Sequence, residues 1–281
     1  IATNTAGAAL ALTGGSVNLT LSSSVLTTVF LSTGSTPLYL GANNMGWLRI
    51  SSNTMNGGQF GAYIATQTAG TQVWLTSNTI LVSTSAGIAT YGLYLNGLIS
   101  GATIQNNGIY YRRGGAVNAF LGTTGFYANT TSGIVFERNR INNPGMITGG
   151  NFYGIDMYDT DKMIFRYNDV HSSAPALGTA IMMRLNAGSA NLNLTSNIFF
   201  SSFVAPTVSS GTLIFSDAGS QTGFVADYND YASSNSAVGF KWTGGAQGVV
   251  LWSAMVAPQD ANSISGNPKW YEVGVGVEDF H

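Results

Sequence analysis

FERNRI occupies residues 136–141, FRYNDV residues 165–170 and LTSNIF residues 194–199. Each stretch sets an asparagine three residues after one apolar side chain and two before another. With that asparagine as origin, the frame recurs at Asn53, Asn78, Asn107, Asn139, Asn168, Asn197 and Asn229, at intervals of 25, 29, 32, 29, 29 and 32 residues. An earlier copy would put Thr28 at the origin. Three residues upstream stand Ile50, Leu75, Ile104, Phe136, Phe165, Leu194 and Ala226. Five upstream stand Leu48, Val73, Ala102, Ile134, Met163, Leu192 and Phe224, and two downstream Met55, Ile80, Ile109, Ile141, Val170, Phe199 and Tyr231. Between the apolar columns, two before the asparagine, lie Ser51, Thr76, Gln105, Glu137, Arg166, Thr195 and Asp227. Alternation with a period of two, repeated in register, marks half-buried strands.

A second pattern precedes the first in each copy and reads apolar, variable, apolar. It occurs as LYL (38–40), AYI (62–64), LYL (93–95), FYA (126–128), IDM (155–157), IMM (181–183) and LIF (213–215), with glycine before it at Gly61, Gly92, Gly125 and Gly154. A unit of this length with two or three strands cannot bury its apolar face alone, so it stacks on copies of itself. The pattern predicts an all-β chain: a right-handed parallel β-helix (a solenoid) of about seven to eight coils over residues 1–235, closed by a C-terminal cap over 236–281. Parallel neighbours lie about 4.8 Å apart, and crossovers between parallel strands are right-handed in nearly all cases. The asparagine is expected at a tight turn with a left-handed backbone, which Asn tolerates better than other non-glycine residues. Its amide is expected to bond to the asparagine one coil away, giving a ladder with a structural role.

Composition agrees with that fold and narrows function. The chain has 281 residues, 44% of them hydrophobic, with 14 Phe, 13 Tyr and 5 Trp, which is ample for a core. Only 8% are charged and the net charge is −2, so the basic footprint that nucleic acid demands is missing. No apolar run reaches the roughly 20 residues that span a bilayer. Cysteine is absent, which removes disulfides and thiolate metal sites. There is no phosphate-binding glycine loop, no HExxH and no GxSxG. Sequons at Asn18, Asn129 and Asn193 matter only in a eukaryotic secretory host.

The repeats resemble the pectate-lyase-like superfamily of parallel β-helices. The tail DYNDYASSNSAVGFKW…VVLWSAMVAPQDANSISGNPKW (227–270) is similar to the closing segment of large secreted β-helix repeat proteins of bacteria. The resemblance implies an extracellular or cell-surface location. Superfamily lyases use acidic Ca²⁺ ligands with a basic proton abstractor, and hydrolases use clustered aspartates. Those motifs have no residue-by-residue match in this chain.

Solenoid ends need covers, because an open sheet edge pairs with other chains. GVVLWSAMVA (248–257) places Val249, Trp252, Met255 and Val256 near helical spacing and predicts a short capping helix, with Asn262 to Trp270 wrapping back. Residues 7–30 read as further strand, which predicts an upstream domain or a neighbouring subunit over the N-terminal coil.

Two features could carry chemistry. The variable residue of the upstream strand is Tyr39, Tyr63, Tyr94 and Tyr127 on successive coils, continuing as Asp156, Met182 and Ile214. Two residues on come Gly41, Ala65, Asn96, Asn129, Tyr158, Arg184 and Ser216. Sugar C–H faces pack on aromatic rings and hydroxyls need amide partners, so Tyr39, Tyr63, Tyr94, Tyr127 and Tyr158 form a candidate glycan or partner surface; stacked tyrosines also simply support a sheet. Charge clusters at Arg112, Arg113, Glu137, Arg138, Arg140, Asp156, Asp159, Asp161, Lys162, Arg166 and Arg184. Neighbouring coils would pair Glu137 with Arg166 and Arg140 with Asp169, at about 0–1 kcal/mol each if exposed. Asp156, Asp159 and Asp161 are the candidate catalytic carboxylates, with Arg184 holding a uronate; Asp159 and Asp161 are the candidate Ca²⁺ ligands, no other cofactor being expected. His171 reads as an exposed turn residue. The expectation is a non-catalytic scaffold or adhesin from a larger bacterial surface protein, with a polysaccharide lyase or glycoside hydrolase as the alternative.

Overall fold

Every coil spends its sequence on three short strands, and each strand finds its partners in the coils before and after it. In this computed structural model residues 7–12, 15, 17–28, 34–84, 89–113, 123–143, 151–172, 179–201, 212–217, 219–233, 239–242, 245–247 and 260–265 are described. One coil shows the scheme: Asn151–Tyr158 lies in a first sheet, Ile164–Arg166 in a second and Asp169–Ser172 in a third. The second and third sheets have eight strands each and the first has ten, all parallel except the last pairing. Eight successive triplets therefore run from Ala8–Leu12 to Asp230–Ser233. The architecture is the all-β parallel solenoid that the repeat predicts, with no helix among the described residues. Correspondingly, no helix there is long and apolar enough to cross a membrane.

The apolar columns fill the bore. Ile50, Leu75, Ile104, Phe136, Phe165 and Leu194 are fully buried, as are Leu48, Ile134 and Met163 from the column two residues before. Met55, Ile80, Ile109, Val170 and Phe199 supply the third wall. Glycine before the first-sheet motif keeps the bore narrow. A Cβ on Gly92 would stand 2.3 Å from Ile109 Cγ2 and 2.5 Å from the Gly125 carbonyl oxygen, and Gly61, Gly125 and Gly154 meet equivalent neighbours.

At the corner between the second and third sheets the asparagines turn inward and form the predicted ladder. Asn168 donates its Nδ2 to Asn197 Oδ1 (2.9 Å) and to the Phe136 carbonyl (2.8 Å), and its backbone N–H to Asn197 Oδ1 (3.0 Å). The same pattern holds at Asn53, Asn78, Asn107, Asn139 and Asn197. Each interior amide thus uses both donors and both lone pairs in a site closed to water, where an unmet polar group is costly.

Two details differ from the sequence reading. The left-handed residue is the one before the asparagine: Ser23, Ser52, Ser77, Asn106, Arg138, Tyr167, Ser196 and Tyr228 have φ of 51–58°. The asparagine is chosen for its amide, and the strained backbone falls to its neighbour. The first coil puts Ser24, not Thr28, in ladder register: Leu26 pairs with Met55, and the Ser24 N–H donates to Asn53 Oδ1 at 3.0 Å.

The ladder ends on another serine. Ile264 bridges to Asp230, so Ser263 sits over Asn229 and its Oγ accepts the Asn229 N–H at 2.9 Å. Asp260 Oδ1 takes bonds from Asn229 Nδ2 (3.3 Å), Tyr231 Oη (3.1 Å) and Ser263 Oγ (2.6 Å). Asp227 binds Asn262 through backbone and side chain, both at 2.8 Å. The Asp-Ala-Asn-Ser-Ile stretch of the tail is therefore the start of one more corner. The first sheet likewise continues past residue 235, through Phe240–Trp242 paired to Thr212–Ser216. The expected helix at 248–257 and the wrap from 266 to 270 lie outside the described residues.

Candidate functional site

The outer face of the first sheet carries the aromatic column. Strand register gives its order as Tyr39, Tyr63, Tyr94, Tyr127, Asp156, Arg184, Phe215 and Lys241. Met182 and Ile214 do not belong to it; both are fully buried. Arg184 moves from the neighbouring column into this one, and Asn186 takes the place beside Tyr158. The cause is that IMM and LIF contain more apolar residues than the motif needs. Met182 stands level with Gly154 of the preceding coil, on the inward side.

The four tyrosines stack with centroids 5.2, 5.0 and 4.6 Å apart and interplanar angles of 23°, 15° and 15°. A second aromatic row runs beside them. Phe60 stacks on Tyr91 at 5.3 Å, and both press edge-on against the first row, Phe60 on Tyr63 at 5.3 Å and Tyr91 on Tyr94 at 4.8 Å. Such spacings match favourable aromatic pairs. They also mean that each interior ring face is occupied by the next ring, leaving no room for a pyranose to stack between them. The expected sugar-on-ring contact is not what this geometry offers. The ridge presents ring edges and hydroxyls, flanked by an amide row in which Asn129 Nδ2 donates to Asn96 Oδ1 (2.9 Å) and Asn96 Nδ2 to Tyr63 Oη (3.2 Å). Burial, then the neighbouring phenols, raise the Tyr94 pKa; burial, then Asp156, raise that of Tyr127. These hydroxyls therefore stay protonated and can donate. Tyr158, between Asn129 and Asn186 in the amide row, is exposed.

Where the tyrosines stop, Asp156 and Arg184 face each other. Arg184 Nε bonds Asp156 Oδ1 at 2.8 Å and Nη2 bonds Oδ2 at 2.5 Å, a two-point pairing that Asn186 supports from 3.3 Å. The guanidinium also lies 3.8 Å from the Tyr153 ring centre. Asp156 is only 3% exposed. An open cleft of about 490 Å³ adjoins the pair, with Tyr127, Tyr158 and Asp217 in its walls. Asp159 and Asp161 follow the strand that carries Asp156. Asp161 accepts from Asn191 Nδ2 at 2.7 Å and lies 3.8 Å from Lys162 Nζ, and Asp159 receives a long 3.5 Å contact from Thr130. Among the described residues, no three histidines or carboxylates come together to share a metal ion.

The inter-coil ion pairs stand where the repeat puts them. Arg166 bonds Glu137 Oε2 through Nε (2.9 Å) and Nη2 (2.7 Å), and Arg140 Nε lies 3.8 Å from Asp169 Oδ2. Burial raises the Asp169 pKa to about 7, opposed by Arg140. His171 is not an exposed turn residue. It is buried on the third sheet, between Asn142 and Phe200, and burial lowers its pKa to about 4. The sequence pattern is silent here because outer positions of that sheet can still be covered.

Comparison with known proteins adds one finding. The family model described as "Right handed beta helix region" matches residues 9–225. No curated protein and no solved structure gives a match. The match spans seven successive ladder positions, from Ser24 to Asn197, together with the strands between them, and on that ground the chain belongs to the right-handed β-helix family.

Proposed function

We propose that the chain is a non-catalytic β-helix segment of a larger extracellular protein of a bacterial surface, a scaffold or adhesin that offers the tyrosine–asparagine ridge to a glycan or cell-surface partner. The observation that carries the reading is the ridge itself. Stacked hydroxyls and amides repeat along the solenoid axis at the coil spacing. An extended chain of hydroxyl-bearing units can run along such a row and exchange hydrogen bonds at every coil, edge-on to the rings. Asp156 supports the non-catalytic half of the reading. A general acid or base must give or take a proton at the reacting atom, and both oxygens of this carboxylate are held by Arg184.

Retention on insoluble polysaccharides tests the proposal. Tyr63→Phe and Tyr94→Phe keep the stack and remove two hydroxyls, so they should weaken retention while thermal stability holds. Retention that survives both substitutions would refute binding through the ridge.

The cleft beside Asp156 favours a second reading, a polysaccharide lyase or glycoside hydrolase using Asp156, Asp159, Asp161 and Arg184, with Ca²⁺ at Asp159 and Asp161 if a metal takes part. Under that reading Arg184 must release Asp156 when substrate arrives, and Asp156→Asn must abolish turnover.

A further inference from the structure

The second sheet has an outer face that the ridge does not use, and exposed apolar side chains gather on it. Nine large apolar side chains are exposed among the described residues. Six of them, Met45, Trp47, Ile164, Tyr167, Val225 and Tyr228, stand on that sheet or at the corner that follows it. Single exposed apolar residues are ordinary, but their concentration on one face marks an interaction surface. Strand register sets one outer column running from Arg49 and Trp74 through Thr103, Val135 and Ile164 to Asn193 and Val225.

The two ends of this face differ in charge. No Asp or Glu precedes Glu137, and the first 136 residues hold only Arg49, Arg112 and Arg113, a charge of +3; the rest of the chain carries −5. Arg49 makes no ion pair among the described residues. Its guanidinium sits between two indoles instead, 5.4 Å from the Trp47 ring centre and 4.9 Å from that of Trp74. At the opposite end Asp227 follows Val225 on the same strand. Hydrogen bonds from the Asn262 side chain and backbone and from the Tyr228 N–H hold its carboxyl below the usual carboxylate range, so it is ionised.

A cationic, indole-rich end and an acidic end on one sheet face complement each other when two copies pack face to face with their axes antiparallel. A two-fold axis along the strand direction through Val135 sets Arg49 against the other copy's Val225 and Asp227, Trp74 against its Asn193, and Thr103 against its Ile164. Val135 meets its own counterpart. Glu137 and Arg138, also near the axis, neutralise each other at 2.9 Å. Parallel packing would instead set Arg49 against Arg49. Eight strands at about 4.8 Å, each about 10–16 Å long, cover roughly 500 Å² per copy, or about 1,000 Å² in total, at the lower limit of specific interfaces. We infer that the chain pairs with a second copy of itself through the outer face of the second sheet, antiparallel and two-fold symmetric, with each Arg49 at the acidic end of the other copy. The inference is independent of the ridge reading, because the ridge lies on the first sheet.

Sedimentation and cross-linking of the full chain test it. The parent chain should show a monomer–dimer equilibrium with a Kd in the micromolar range, and Arg49→Glu should weaken it at least about tenfold. The chain has no cysteine, so single introduced thiols report the arrangement. With a short bismaleimide, Val135→Cys should cross-link to itself, whereas Thr103→Cys and Ile164→Cys should cross-link when mixed and not alone. A chain that stays monomeric to about 1 mM would leave the face to some other partner and overturn the inference. So would a Kd unmoved by Arg49→Glu, or self-cross-linking of Thr103→Cys, the mark of a parallel pair.

Discussion

Removing one interior rung should cost far more than removing an outer amide of the same chemistry. Asn139 takes part in four side-chain hydrogen bonds: Nδ2 donates to the Ile104 carbonyl (2.8 Å) and to Asn168 Oδ1 (3.2 Å), and Oδ1 accepts Asn107 N–H (3.0 Å) and Nδ2 (2.9 Å). Asn139→Ala deletes all four and strands the Asn107 backbone N–H in a site with no exposure. A hydrogen bond contributes about 1 kcal/mol net and a stranded buried donor costs about 1–3 kcal/mol, so the loss should be roughly 3–5 kcal/mol. Asn129→Ala on the outer amide row, where solvent replaces the lost bond, should cost about 1 kcal/mol or less. Asn139→Ser should recover part of the difference, because Ser263 Oγ already accepts the equivalent N–H at 2.9 Å where the ladder ends. Urea unfolding followed by circular dichroism measures all three, with stability read from midpoints at unchanged slope. Equal losses for Asn139→Ala and Asn129→Ala would refute the claim that the ladder holds the corner.

Gly92→Ala should destabilise by about 2–3 kcal/mol, the cost of overpacking, since its Cβ would meet a carbonyl oxygen at 2.5 Å; the thermal midpoint checks it. Arg184→Gln should cost about 3–5 kcal/mol at neutral pH by leaving Asp156 buried and unpaired, and a second change, Asp156→Asn, should restore most of it. Asp169 binds its proton more tightly in the folded chain, with a pKa of about 7 against an ordinary 3.8. The native state then holds more protons between those values, and its stability declines as pH rises through that window, by at most on the order of 4 kcal/mol. Asp169→Asn should flatten this decline, seen as a gain relative to the parent chain that is larger at pH 8 than at pH 4.

The solenoid was legible because its rule repeats. Seven asparagines in frame, each between apolar neighbours, leave little choice of architecture, and the ladder follows from the amide's donors and acceptors. What escaped was whatever the repeat does not encode. Ser24 makes the ladder's first rung through its backbone N–H and lacks the asparagine that marks the other copies, so the eye moves to Thr28 instead. IMM and LIF offer several apolar residues in a row, and only the backbone register shows that Arg184 and Phe215 face outward. Tyrosine stacking could be read from the column, but not that the rings would cover one another's faces. That depends on the second row, Phe60 and Tyr91, three residues earlier in each strand.

Depolymerisation of a polysaccharide panel that includes pectate and alginate, with and without Ca²⁺, tests the central claim most directly. Reducing ends and the absorbance of unsaturated products report cleavage by either chemistry. A non-catalytic scaffold predicts no product above the buffer control under any condition. Turnover that disappears in Asp156→Asn would contradict it and place the chemistry where Arg184 now holds that carboxylate.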